Sequence, residues 1–159
     1  QTLVGFHLAL GQFVLRMVPS SSTVQVRREI WQRAIWIIRD FPYIGVGMGT
    51  FDIAVNRMYP FSIIPAGIRV THAHNELLQV AVDLGIPGLV GYVALLTTFA
   101  ITAWRAYHAL DDRWLRALIM GLGCGMLAHQ VFGLTDAFLL GTKPGVVMWV
   151  FMGLSLIHI

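Results

Sequence analysis

The sequence predicts an all-α, multi-pass transmembrane helical bundle with an external loop that contains amphipathic helices. Three observations predict it. Hydrophobic residues make up 57% of the 159 residues and charged residues 12%, against about 25% charged in an ordinary soluble domain. Mean hydropathy is +0.71. Uncharged runs of spanning length, such as 86–104 and 117–135, alternate with short polar stretches, and one long arginine-bearing segment carries a helical repeat.

The elements follow in order. Residues 1–15 hold no Asp, Glu, Lys or Arg, so a first span is expected over about 1–18. Pro19 and the Ser20–Thr23 run end it and offer caps for the next helix. An external loop is then expected over about 19–85. Within it, residues 24–41 form an amphipathic helix: Ile30, Ala34, Ile37 and Phe41 recur at helical spacing, Trp31, Ile35 and Ile38 lie alongside, and Arg28, Gln32 and Arg39 share the opposite side. Such a helix lies in the membrane interface. Gly45, Gly47 and Gly49 mark a tight turn. No strand–turn–helix unit surrounds them, which argues against a dinucleotide loop. Residues 50–70, with Pro60, Pro65 and Gly67, read as irregular. A helix is expected over 72–84, ended by Gly85 ahead of Pro87.

Spans follow over 86–104, 117–135 and 144–159, joined by loops at 105–116 and 136–143. His129 and Gln130 fall inside a span, where polar groups are costly and often functional; for His129 a helix–helix hydrogen bond is the simplest use. Trp31, Trp36 and Trp149 read as interfacial anchors. Gln1 falls within an apolar run already under way, so the chain reads as a piece of a longer protein. The last six residues, Leu154 to Ile159, resemble a translated sequencing adapter, and His158 carries no functional weight.

Charge and cysteine content narrow the chemistry. The positive residues are ten Arg and one Lys, and arginine is favoured where a planar fork must hold phosphate. The one cysteine, Cys124, excludes an internal disulfide and a multi-cysteine metal site. The three arginines of 105–116 place that loop in the cytoplasm and 17–85 outside. The outer segment nevertheless keeps six arginines, which points to an anionic ligand on that side. It holds Glu29, Asp40, Asp52, Glu76 and Asp83 but no D-x-D pair. Arginines, rather than a carboxylate-bound divalent cation, are then the groups available on that side to meet negative charge.

The most suggestive stretch is Thr71-His72-Ala73-His74-Asn75-Glu76, set just ahead of a span with arginines upstream. His74-Asn75, nine residues, then Gly85-Ile86-Pro87-Gly88 resembles the H-[NSQ]-x9-G-x-x-G signature of the O-antigen ligase superfamily. Arg27 to Trp31, followed by Pro42 to Phe51, is similar to that family's Arg-x-x-x-Trp and Pro-x-x-Gly-x-Gly-x-Gly-x-Phe pattern. The resemblance covers about residues 20–150.

The resemblance implies a GT-C-like glycosyltransferase of the bacterial inner (plasma) membrane with no metal or other cofactor. Its site would face the periplasm or outer side. It would move a glycan from undecaprenyl pyrophosphate to an acceptor hydroxyl, as an O-antigen ligase or a polysaccharide polymerase. The implied partners are the lipid-linked donor, a lipid A-core, polysaccharide or protein acceptor, and the bilayer; no nucleic acid is expected. This chain would be the C-terminal part of such an enzyme, inactive by itself. His74 is the expected general base, imidazole being the usual choice near neutral pH. Arg27 and Arg69 are the expected pyrophosphate ligands, with Asn75 and Asp136 completing the substrate site. His72 and His74, placed two apart on a helix, would point to different faces, so no metal site is expected. The alternative reading is a transporter or permease subunit, which would concentrate its polar groups at mid-membrane.

Overall fold

In the computed structural model, the residues described are 21–65, 68–137, 145, 146, 148–150, 152 and 153. The expected first span over 1–18, Lys143 and residues 154–159 lie outside them, and the expected span 144–159 is described only in part. The described residues contain no strand. The helices are α1 (Ser21–Asp40), α2 (Phe51–Met58), α3 (Glu76–Ala109) and α4 (Arg113–Gly133). The pieces 145–146, 148–150 and 152–153 are also helical.

α1 buries the stripe that its sequence periodicity marks. Ile30, Ala34 and Ile37 are at most 2% exposed, while Arg28, Gln32 and Arg39 face outward. Trp31 and Ile38 pack partly against the same core, but Ile35 and Trp36 turn away from it. The Arg33 guanidinium lies 4.4 Å from the Trp36 ring centre.

Residues 50–70 are not wholly irregular, contrary to the sequence reading. α2 forms there, and Phe51, Ala54 and Val55 insert beneath α1. A helix of eight residues is marginal alone; burial of this face stabilises it. The rest of the loop is tied to α1 through a buried carboxylate. Glu29 accepts from the Ser62 amide at 2.5 Å and the Ile63 amide at 3.1 Å. Arg33 reaches both Glu29 and the Ser62 hydroxyl at 3.2 Å. Burial acts to raise the Glu29 carboxyl, but the two amides, the Ser62 hydroxyl and Arg33 outweigh it and hold the group below its ordinary range.

α3 consists of two legs joined at Gly85, whose φ of 72° breaks the helix. The short leg, 76–84, packs under α1, and the long leg, 86–109, packs along α4. At about 1.5 Å per residue the long leg measures about 36 Å and α4 about 31 Å, each enough for a hydrocarbon core of about 30 Å. α3 and α4 are the candidate membrane-spanning helices. They share a second apolar cluster containing Val80, Tyr92, Phe99, Met126, Met148 and Met152. Gln130 donates to the Tyr92 hydroxyl at 3.1 Å, a hydrogen bond between α3 and α4.

The connection between the spans is shorter than the polar stretch 105–116. α3 continues to Ala109 and α4 begins at Arg113, capped by the Asp112 carboxylate. Arg116 remains helical and reaches back to the Leu110 carbonyl at 2.5 Å. The charged residues extend past the backbone turn because long side chains can leave a helix end for the interface.

The two glycine motifs meet. The amides of Val46 and Gly47 donate to the carbonyls of Val82 and Asp83 at 2.8 and 3.1 Å, and the Ile86 amide donates to the Pro42 carbonyl at 2.7 Å. The turn after α1 thereby satisfies carbonyls that the end of the short leg leaves open. Gly45 (φ 64°) and Gly85 (φ 72°) both adopt left-handed backbone at this junction.

Candidate active site

The site forms where the His segment, α1 and the end of α4 converge. Residues 72–74 are not helical, contrary to the helix expected over 72–84; α3 begins at Glu76 with Asn75 as its N-cap. The Asn75 carbonyl oxygen of the side chain accepts from the Leu78 amide at 3.0 Å. Ala73 between the two histidines is fully buried, and its amide donates to the buried Gln79 side chain at 2.8 Å. Outside a helix, side chains two apart are no longer forced onto different faces, and here the left-handed φ of His74 sets its direction. With Ala73 buried inward, both imidazoles turn outward together, and their ring centres lie 4.3 Å apart. The expectation that His72 and His74 point to different faces is corrected on this ground.

His74 has φ 49°, left-handed backbone on a residue other than glycine. That conformation costs about 1–2 kcal/mol, and such strain gathers at functional sites.

α4 delivers the carboxylate. Gly133 permits its end to approach the start of α3: a Cβ there would lie 3.1 Å from the Glu76 Cβ. The chain then turns, and three consecutive residues receive the site's polar side chains. Asn75 Nδ2 donates to the Leu134 carbonyl at 3.1 Å. Arg27 Nη1 donates to the Thr135 carbonyl at 2.7 Å. Asp136 Oδ1 lies 3.1 Å from His72 Nε2 and 3.0 Å from His74 Nδ1. Arg27, His74, Asn75 and Asp136, singled out from sequence, thus come together.

Arg69 does not join them in direct contact. Its Nη2 and Nε reach Asp52 of α2 at 2.5 and 3.2 Å, with most of its side chain exposed. The Arg69 hydrogen bond, and then its charge, hold the Asp52 carboxyl below its ordinary range.

Hydrogen-bond logic assigns the ring nitrogens. An ionised carboxylate only accepts, so His74 Nδ1 and His72 Nε2 carry the protons that Asp136 receives. The Thr71 hydroxyl, 2.8 Å from His72 Nδ1, donates to that ring's other nitrogen. A neutral His74 so held presents Nε2 as its lone-pair nitrogen. Burial acts to raise the Asp136 carboxyl; hydrogen bonds from His74, the Ala137 amide and His72 outweigh it, and the group lies below its ordinary range. Sequence reasoning missed His72 as a second donor to Asp136. No local sequence signal marked it, because the burial of Ala73 between the two histidines is set by the folded core.

The sequence matches the O-antigen ligase family over residues 3–93, more than half of the chain. The chain belongs to the O-antigen ligase family. Membership supports a role in O-antigen or surface-polysaccharide assembly, with lipid-linked polysaccharide substrates in a membrane setting. No curated protein matches the chain. The match includes Arg27, His72, His74 and Asn75 together with the glycine junction that sets the end of the short leg of α3. In this O-antigen ligase family chain, the site therefore combines a carboxylate-held imidazole with a guanidinium.

Proposed function

We propose that this chain carries the catalytic histidine of a metal-independent glycosyltransferase that moves a glycan from undecaprenyl pyrophosphate to an acceptor hydroxyl. The observation that supports it most is the convergence on Leu134–Asp136 of Asn75, Arg27 and the two histidines. In the proposed step, the acceptor oxygen attacks the anomeric carbon while His74 Nε2 takes its proton. The bond from that carbon to the pyrophosphate oxygen breaks, and the electron pair leaves with the pyrophosphate. Arg27 neutralises the developing charge, with Arg69 as the second cation. One Arg27 N–H is used by Thr135, and a guanidinium has further donors for phosphate oxygens. Asp136 keeps His74 in the tautomer that exposes Nε2, and Asn75 fixes the backbone that carries it.

The same reading makes the chain one membrane domain of a GT-C-like multi-pass bundle in the bacterial inner membrane. Its spans would be about 1–18, 86–104, 117–135 and 144–159. The segment of about 19–85 would lie on the periplasmic or outer face with the site.

The test is a transfer assay on membranes carrying the full-length protein, because the chain by itself is expected to be inactive, with undecaprenyl-pyrophosphate glycan and EDTA. EDTA-resistant product that disappears in His74→Ala is expected, and the labelled acceptor distinguishes ligase from polymerase. Normal transfer by an inserted His74→Ala variant overturns the assignment.

A further inference from the structure

We infer that His72, His74 and Asp136 form a zinc-binding site whose occupation switches the proposed base off. The metal site stands on geometry alone; the inhibition rests on the reading of His74 given above. Among the described residues, these three side chains offer one imidazole nitrogen each and a carboxylate oxygen, all within 4.8 Å of one another. Asp136 Oδ1 already lies 3.0–3.1 Å from both nitrogens. A tetrahedral zinc with bonds of about 2.0–2.1 Å holds its ligands about 3.3 Å apart, so the two contacts to Asp136 open by about 0.3 Å and the two imidazole nitrogens, within 4.8 Å of each other, settle at the same spacing by small side-chain rotations. The site is reachable, since each of the three side chains is between 22 and 39% exposed. Three protein ligands leave a fourth position for water. Two imidazoles with one carboxylate suit zinc and its first-row neighbours and disfavour magnesium, which requires an oxygen octahedron.

The switch follows from which nitrogen the metal takes. Without metal, His74 Nδ1 carries its proton toward Asp136, and Nε2 holds the lone pair. Zinc takes the Nδ1 lone pair, so the neutral ring carries its proton on Nε2. His72 changes in the same sense: Nε2 binds zinc and Nδ1 takes the proton, which it donates to the Thr71 hydroxyl. Each ring loses one proton and gains one through water, so no net proton is released. The metal need not block His74 Nε2; it converts that atom from acceptor to donor, and a donor cannot take the acceptor's proton.

The experiment uses the chain in detergent micelles, stripped with EDTA and titrated with Co2+, whose visible absorption reports tetrahedral nitrogen and oxygen ligation. One Co2+ per chain is expected, displaced by an equivalent of Zn2+ and untouched by excess Mg2+. His72→Ala and Asp136→Asn should each weaken binding about tenfold or more, with helicity checked by circular dichroism. His108→Ala and His129→Ala should bind like the parent. Absence of stoichiometric Co2+ binding, or binding unchanged in folded His72→Ala, overturns the site. In the transfer assay, Zn2+ should inhibit and EDTA restore; zinc that binds without inhibiting, or that stimulates, overturns the switch. Should no transfer be seen under any condition, the glycosyltransferase reading fails, while the cobalt titration still decides the metal site.

Discussion

Gly45 and Gly85 each occupy space that the other's segment leaves for a hydrogen atom alone. A Cβ on Gly45 would lie 2.4 Å from the Val82 carbonyl oxygen and 2.6 Å from that of Asp83, and one on Gly85 would lie 2.7 Å from the Pro42 carbonyl oxygen. Both obstacles are backbone, which cannot move aside as a side chain can. Gly49 shares the left-handed conformation (φ 72°) but would meet nothing within 4 Å.

This contrast sets the first prediction. Gly49→Ala should cost about 1–2 kcal/mol, the price of left-handed backbone. Gly45→Ala and Gly85→Ala should cost more, because the close approach of the two segments is lost as well. Thermal melting in one detergent compares the three, and equal costs for Gly45→Ala and Gly49→Ala would contradict the docking account.

The second prediction concerns the left-handed backbone at His74. His74→Ala and His74→Gly should both abolish transfer while the protein still inserts. Both lose the hydrogen bond to Asp136, but only glycine adopts φ 49° freely. The glycine variant should therefore be the more stable by about 1 kcal/mol. An alanine variant of equal or greater stability would show that the backbone relaxes once the imidazole is gone.

Much of this was legible in the sequence. The apolar stripe of α1 and the need for glycine at 45 and 85 each follow from local chemistry. α2 was hidden because its eight residues form a helix only through Phe51, Ala54 and Val55 packing beneath α1. The meeting of His72 with His74 was hidden for a related reason. A helical reading separates residues two apart, and the burial of Ala73 that turns them together depends on Gln79 and the surrounding core. Arg69 could be singled out as an arginine, but its engagement with Asp52 is a property of the folded chain.

Asp136→Asn gives the third prediction. The amide can no longer accept from two imidazoles with one charged oxygen, so the tautomer of His74 is no longer fixed. Transfer should fall about 100-fold, within the range that general-base catalysis supplies. The loss should appear in kcat, with KM for the lipid-linked donor little changed. Arg27→Ala should lower kcat and also raise the donor KM, because the guanidinium meets the pyrophosphate before reaction and again as its charge develops. Arg27→Lys should rescue poorly, because an ammonium lacks the planar fork. A donor KM unchanged in Arg27→Ala would remove that arginine from ground-state binding.

The fourth prediction follows from Glu29. Its folded carboxyl lies below the ordinary value of 4.5, so it contributes stability that is fully present above about that pH. The contribution is lost as pH falls through the lower folded value. Glu29→Gln should lower the melting temperature at neutral pH, with a cost of about 1 kcal/mol or more for the disrupted charged hydrogen bonds. The difference from the parent should shrink on acidification below pH 4.5. A difference independent of pH would assign the loss to packing rather than charge.

The family match ends at residue 93, yet the carboxylate that receives both histidines stands at residue 136, beyond the second described span. The stretch matched by the family is thus smaller than the unit that the proposed chemistry requires. A segment cut at the boundary of the match would retain Arg27, His72, His74 and Asn75 but lose Leu134, Thr135 and Asp136, the three positions they hold. Gene fusions, truncations and domain swaps in such proteins should therefore keep the helical hairpin through Asp136 intact, even though it lies outside the stretch that the family match covers.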